Sequence, residues 1–383
     1  LSAMKGYDTH RVERALIAQL VLAGTDPAEA ADSLLELGRL AETAGLEVVG
    51  QITQNRIKPD GGTLFGSGKV QDLKTLLAET AANTVVFDNP LSAIQAYQLA
   101  RELDARIMDR TELILEIFAR RARSAEAQLQ VELAKTQFLL SRIPVTEAQQ
   151  RFAGGGGGAY VRGPGESHLS LRNAPLRRRV TELRKRLATI QKRQTVRDRA
   201  KREWPVVCLV GYTNAGKSTL LNVLADAGAY VDDRLFATLD TKTRKVWLAP
   251  SREILLTDTV GFIRNLPHGL IASFRSTLSV AVEADLLLVV VDAAYPHVTD
   301  HINVCFRTLR EIGAEQVPHL LVLNKCDRGT ADSAILHVTE KYPLALPVSA
   351  RTGYGLDLLK RAMIEELQRC STLWRLPSAT SRI

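Results

Sequence analysis

The sequence predicts an α/β chain in which a P-loop domain is preceded by a small parallel α/β domain and a long helical hairpin. Three observations predict it. Over residues 5–110, apolar runs that read as strands alternate with amphipathic helical stretches, the pattern of a parallel sheet. Two long helical stretches follow, separated by a Gly-rich segment. From Trp204 an apolar run leads into Gly211-Tyr212-Thr213-Asn214-Ala215-Gly216-Lys217-Ser218, which fits the phosphate-binding spacing G-x-x-x-x-G-K-[ST].

In the first region, residues 1–110, strands are expected at 15–23, 46–52, 84–87 and 106–108. Asp26-Pro27 opens a helix with a capping carboxylate and a proline in the first turn, and Gly45 stops it. Further helices are expected at 70–79 and 92–103. Gly66-Ser67-Gly68-Lys69 looks like a second phosphate loop but has Thr63 where a glycine is needed and Val70 where a hydroxyl is needed. It reads as a loop with a basic tip.

The second region, residues 111–203, reads as an antiparallel helical hairpin. Leu113, Ile117, Leu129, Leu133 and Leu140 suggest one apolar stripe over a single long helix at 111–141, which Pro144 ends. A second helix is expected at 175–203, with Leu176, Val180, Leu183, Leu187 and Ile190 on its apolar side. Between them runs Gly154 to Gly158. Five glycines cannot pack a core and lose much entropy on ordering. Such a run is either a flexible linker or a loop whose backbone moulds to a large partner, with Arg162 nearby for phosphate. The ending Gly163-Pro164-Gly165-Glu166 favours the moulded loop.

Residues 204–372 read as a P-loop GTPase domain, with a tail at 373–383. Glycines at 211 and 216 let the backbone wrap around phosphate. The N–H groups of the loop, through Thr219, and the helix start form an anion cradle. Lys217 adds a charge on the β- and γ-phosphates, and the Ser218 hydroxyl is placed to ligate Mg²⁺. Asp258-Thr259-Val260-Gly261 follows a strand-like run. Asp258 would hold the Mg²⁺ shell, and Gly261 would offer its N–H to the γ-phosphate. In Phe236-Ala237-Thr238-Leu239-Asp240, Thr238 can complete the metal shell. Asn324-Lys325-Cys326-Asp327 carries the base choice. The Asp327 carboxylate can accept from guanine N1–H and the exocyclic amine together, a donor edge that adenine lacks. The Lys325 stem can pack on the base plane. Ser349-Ala350-Arg351 would present backbone N–H groups to guanine O6. Lys217, Thr238 and Gly261 are thus the expected catalytic groups, and GTP and GDP the expected ligands.

Composition narrows the partner. Hydrophobic content of 45% is that of an ordinary globular chain. No apolar run approaches the ~20 residues of a membrane span, and the first residues carry no signal-peptide pattern, so a cytoplasmic protein is expected, as a monomer. The net charge of +8 is local. The segment 177–202 holds 12 Lys or Arg against two acids, a net +10, which leaves −2 for the rest of the chain. Intrahelical pairing cannot satisfy that excess. Arg177, Arg178, Arg179, Arg184, Lys185 and Arg186, with Arg162, are therefore the expected RNA contacts.

The chain resembles the HflX family of ribosome-associated GTPases. The residues that carry the resemblance are Arg121-Ala122-Arg123, Glu126 to Ala134, Arg162-Gly163-Pro164-Gly165-Glu166, Gly211 to Thr219, Phe236 to Asp240, and Asp258 through Gly261 to Phe262-Ile263-Arg264-Asn265-Leu266-Pro267-His268. One departure is Ser167-His168, where the family usually carries Thr-Gln. The resemblance implies binding to the large ribosomal subunit and the splitting of stalled or idle ribosomes, with a role in the stress response. The competing expectation is a GTP switch acting on free RNA in RNA maturation or ribosome assembly. After Gly261 a Ras-like GTPase would carry a Gln to orient the attacking water, and here stands Phe262. Slow hydrolysis by the chain alone is expected. Asn214 resembles the asparagine with which some GTPases bind K⁺ beside the phosphates.

Overall fold

A computed structural model describes residues 13–142, 174–190, 203–226, 235–236, 241–264, 280–329 and 331–370. The chain divides into two compact units, one of residues 1–120 and 134–182, the other of residues 121–133 and 183–383. Among the described residues, no helix is long and apolar enough to cross a membrane.

The first unit is built on four parallel strands in the order β2-β1-β3-β4, with β1 Arg14–Leu22, β2 Glu47–Arg56, β3 Thr84–Phe87 and β4 Arg106–Asp109. The expected parallel α/β fold is what forms. Helix α1, Pro27–Thr43, starts where the cap signal places it, with the Asp26 carboxylate accepting the Ala28 N–H at 3.0 Å. Helix α2, Ser67–Thr80, begins earlier than expected. Gly66 is its cap, and Gly66 to Lys69 is a helix start rather than a loop with a basic tip. Lys69 lies in the first turn and pairs with Asp72 at 2.9 Å. Helix α3, Ala93–Leu103, carries a reciprocal cap between Ser92 and Gln95.

The single helix expected at 111–141 is two: α4, Arg110–Arg121, and α5, Ala125–Arg142. Residues 122–124 break it, because the Ser124 hydroxyl accepts the Ala127 N–H at 3.1 Å and starts a new helix. Helix α6 is seen over 174–190. Val180, Leu183 and Leu187 are buried on it, while Arg177, Arg178, Arg184, Lys185 and Arg186 are exposed. The expected apolar stripe and basic face are therefore separate sides of one helix.

The second unit contains a six-stranded sheet in the order β10-β9-β8-β5-β7-β6. Its strands are β5 Val206–Gly211, β6 Lys242–Ala249, β7 Arg252–Asp258, β8 Leu286–Asp292, β9 His319–Asn324 and β10 Leu346–Pro347. All neighbours are parallel except β6 and β7. Helices α7 Lys217–Leu224, α8 Val298–Ile312, α9 Ala331–Lys341 and α10 Leu356–Cys370 accompany it. Strand β8 shows why the run is apolar at every position. Leu287, Val289 and Val291 enter one core with Ile302 and Leu309 of α8. Leu286, Leu288 and Val290 enter another with Leu220 of α7 and Met363 of α10. A strand covered on both faces has no side to leave polar. All four cysteines lie among the described residues, and none is in a disulfide.

Candidate nucleotide site

The site lies at the carboxyl ends of β5, β7, β8 and β9. Strand β5 pairs with β7 on one side and β8 on the other, so connections leave in opposite directions from its end. That is the place where open α/β sheets take ligands. The loop 211–218 leaves β5 there and enters α7 at Lys217. Gly216 has φ +90, and a Cβ on it would run into the Asn324 side-chain amide, so only glycine fits. Asn214 also takes a left-handed φ of +59, which an asparagine tolerates.

Lys217 is 6% exposed. Its ammonium donates to the Gly211 carbonyl at 3.0 Å and to the Tyr212 carbonyl at 2.9 Å. Burial pushes its pKa down, against the opposing pull of the Asp258 charge. A buried cation held by two carbonyl dipoles lacks a neutralising anion of its own, and a phosphate supplies one. The Ser218 hydroxyl donates to the Asp258 carboxylate at 2.6 Å, and Asp258 is fully buried. A hydroxyl and a carboxylate, both hard oxygen donors, fit Mg²⁺ completed by phosphate oxygens and water. Among the described residues there is no cluster of three His, Cys, Asp or Glu able to hold a metal.

The segment after Asp258 is stapled to the loop. The Thr213 N–H donates to the Phe262 carbonyl at 2.7 Å, and the Phe262 N–H donates to the Gly211 carbonyl at 2.9 Å. The Arg264 N–H donates to the Tyr212 hydroxyl at 3.0 Å. Gly261 is pressed in between: a Cβ on it would lie 2.8 Å from the Thr213 Cα and 3.0 Å from the Lys217 Nζ. The Thr259 hydroxyl is spent on the Leu209 carbonyl at 2.7 Å. The Phe262 side chain is buried in the core beside β5 and β8, so it brings no polar atom to the site.

The base-recognition residues meet on the other side of the loop. The Asn324 amide donates to the Ala215 carbonyl at 2.8 Å and its carbonyl accepts the Ala350 N–H at 3.0 Å. Asn324 thus ties the phosphate loop to Ser349-Ala350-Arg351. The Lys325 ammonium donates to the Asn214 carbonyl at 2.6 Å and to Asp292 at 2.7 Å. The Ser349 hydroxyl donates to the exposed Asp327 carboxylate at 2.7 Å, and this bond lowers the Asp327 pKa. An ionised Asp327 is the state that can accept two guanine donors.

Of the expected site residues, 211–219, 258–261, Asn324, Lys325, Asp327 and 349–351 are brought to one edge of the sheet. Phe236 is described, buried and at φ +54. Ala237, Thr238, Leu239, Asp240 and Arg162 lie outside the described residues. The basic residues of α6 are on their own helix.

Four groups were missed by the sequence reading. Asp292 anchors Lys325. It ends an apolar strand as Asp258 does, and that parallel was available. Tyr212, His301 and Tyr295 form a stack, with ring centroids at 3.7 Å and 4.0 Å and planes within 12°. Arg264 pairs with Asp300 at 3.2 Å beside it. Burial, and then the nearby Arg264 and His297 charges, push the His301 pKa down to about 3. Nothing in local spacing announces a stack of residues so distant in sequence.

Comparison with known proteins bears on this geometry. Residues 31–119 match the family described as "GTP-binding GTPase N-terminal", residues 121–202 "GTP-binding GTPase Middle Region", and residues 206–325 "50S ribosome-binding GTPase". The protein named GTPase HflX of Caldanaerobacter subterraneus is 41% identical over 93% of this chain and 81% of its own length. GTPase HflX of Escherichia coli K12 is 41% identical over 88% and 79%. Among solved structures, a GTP-binding protein of Sulfolobus solfataricus in complex with GDP is 26% identical, covers 93% of this chain and all of its own, and has a TM-score of 0.48.

Proposed function

This chain belongs to the HflX family of GTPases, and we propose that it uses GTP to act on the large ribosomal subunit and split stalled or idle ribosomes. The chain is a GTPase, converting GTP to GDP and phosphate. The single observation that carries the site is the convergence of the loop 211–218, Asp258 to Gly261, and Asn324 to Asp327 on one sheet edge. In this reading the cradle and Lys217 hold the phosphates. Ser218 and Asp258, with Thr238, hold Mg²⁺, which neutralises charge on the β- and γ-phosphates. Asp327 selects guanine. Asn214 is assigned to K⁺ on resemblance alone.

Support for a ribosomal partner comes from the matched family description and from the exposed basic face of α6. The reading gives residues 1–110 and the hairpin 111–203 to partner recognition, and residues 204–372 to nucleotide chemistry, in a cytoplasmic monomer that serves the stress response. Because Phe262 can neither donate nor accept, the partner must order the catalytic elements or supply a group in trans. The test is GTP hydrolysis by the purified chain with and without large ribosomal subunits, with free ribosomal RNA as control. Stimulation by the subunit alone is expected. Equal stimulation by free RNA would favour the RNA-maturation switch instead.

A further inference from the structure

The phosphate loop contains a hydroxyl that neither the fold nor the assignments above use. Thr213 is 6% exposed, and its Oγ1 is buried with no hydrogen-bond partner among the described residues. Leaving such a group unpaired costs about 1–3 kcal/mol, and native buried hydroxyls are mostly paired. The backbone gives no reason for the cost, since the Thr213 N–H is already bonded to the Phe262 carbonyl at 2.7 Å. The other hydroxyl of the loop is engaged, as Ser218 donates to Asp258.

Its location gives the unmet hydroxyl a partner. A Cβ placed on Gly261 would lie 2.8 Å from both Cα and Cγ2 of Thr213, and 3.0 Å from Lys217 Nζ. Thr213, Gly261 and the Lys217 ammonium therefore border one small volume, where a γ-phosphate meets an N–H and a cation. The side chain after Gly261 is an apolar ring turned into the core. A polar side-chain group is thus missing at one position and unspent at another, against the same glycine.

We propose that the Thr213 hydroxyl is a catalytic contact to the transferring γ-phosphoryl group. In hydrolysis the water oxygen bonds to Pγ, and the bond from Pγ to the β–γ bridging oxygen breaks. The electron pair leaves with GDP, and the water proton ends on an oxygen of the released phosphate. Thr213 is unchanged. Its O–H donates to a γ-phosphoryl oxygen, while its lone pairs remain able to accept from the attacking water. GDP has no γ-phosphate, so the contact serves turnover and not GDP binding.

This rests on GTP hydrolysis at this loop and on no ribosomal partner. Thr213→Val keeps the shape and β-branching but removes the hydroxyl, and Thr213→Ser keeps the hydroxyl. Single-turnover hydrolysis at saturating GTP and the Kd for GDP are measured for the full chain and both variants. Losing one donor to a developing charge typically costs a factor of 10² to 10³, and a loss of at least about 10-fold is expected for the Val variant. Its GDP affinity should stay within about 2-fold, and the Ser variant should keep most of the rate. A Val variant that hydrolyses at the unsubstituted rate, or loses GDP affinity in step with rate, would overturn the assignment. If the Val variant does not fold, Thr213→Ala decides by the same two readouts. An unsubstituted chain that hydrolyses no GTP would instead sink the GTPase reading, and this contact with it.

Discussion

The two units of this protein share an architecture and finish it in opposite ways. Both place polar residues at the carboxyl edge of a parallel sheet, at the strand where connections diverge. In the first unit that edge is filled by the protein itself. Arg110, 3% exposed, pairs with Glu36 at 2.6 Å and Asp88 at 3.3 Å. Asp88 also accepts from Ser33 at 2.7 Å and Gln19 at 3.1 Å, and Asn89 bonds the Leu20 backbone on both sides. In the second unit, the corresponding edge holds a buried ammonium bonded to carbonyls of its own loop and a buried Thr213 hydroxyl with no partner among the described residues. One crevice is closed by ion pairs, and the other is shaped for an anion. Chemistry at the switch point therefore depends on which groups stand there, not on the fold.

Three substitutions and one pH series would break or sharpen that contrast. The largest effect is expected from Lys217→Ala, which removes the only cation bordering Gly261 among the contacts described here. GTP affinity should fall by roughly 100-fold or more, in line with about 3–5 kcal/mol for losing one partner of a desolvated charge contact. Titration calorimetry checks it, and unchanged affinity would remove the P-loop assignment. Next comes Arg110→Met, which leaves Asp88 and Glu36 without their cation. The first unit should lose about 3–5 kcal/mol in urea denaturation. GTP binding by the folded fraction should not change, and coupled loss of both would contradict the contrast.

Asp327→Asn should weaken the preference for guanine over adenine by roughly 100-fold, since it replaces an acceptor by a mixed group facing two donors. Competition of ATP against labelled GDP reads this directly, and retained rejection of ATP would count against Asp327. The smallest effect concerns His301. Its folded pKa, about 3, lies below the ordinary 6.5. Between those values the unfolded chain binds a proton that the folded chain refuses. Stability should be whole above about pH 6.5 and fall as pH drops toward 3. His301→Phe keeps a ring between Tyr212 and Tyr295 and should flatten the slope, as denaturation midpoints at pH 5 and 7 would show.

What the sequence made legible follows from range. Asp26, Gly66 and Ser92 act within three residues, so caps were readable, although Gly66 was taken for a loop and begins a helix. The Ser124 break was missed because the apolar stripe runs on either side of it. The antiparallel strand β6 has a weak signal, with exposed residues at 242–244 and an exposed Trp247, as an edge strand is not required to be apolar. In the site, motif residues were readable because phosphate and guanine demand fixed types at fixed spacing. Asp292, Arg264, His301 and Tyr295 were not, since their partners lie on other elements and only the fold brings them together.

Hydrogen exchange with and without GDP and Mg²⁺ tests the contrast between the two edges most directly. The account predicts strong protection at 211–219, 258–264, 324–327 and 349–351, with amides around Gln19, Asp88 and Arg110 unchanged. Equal protection at the first unit's edge, or none at the phosphate loop, would contradict it.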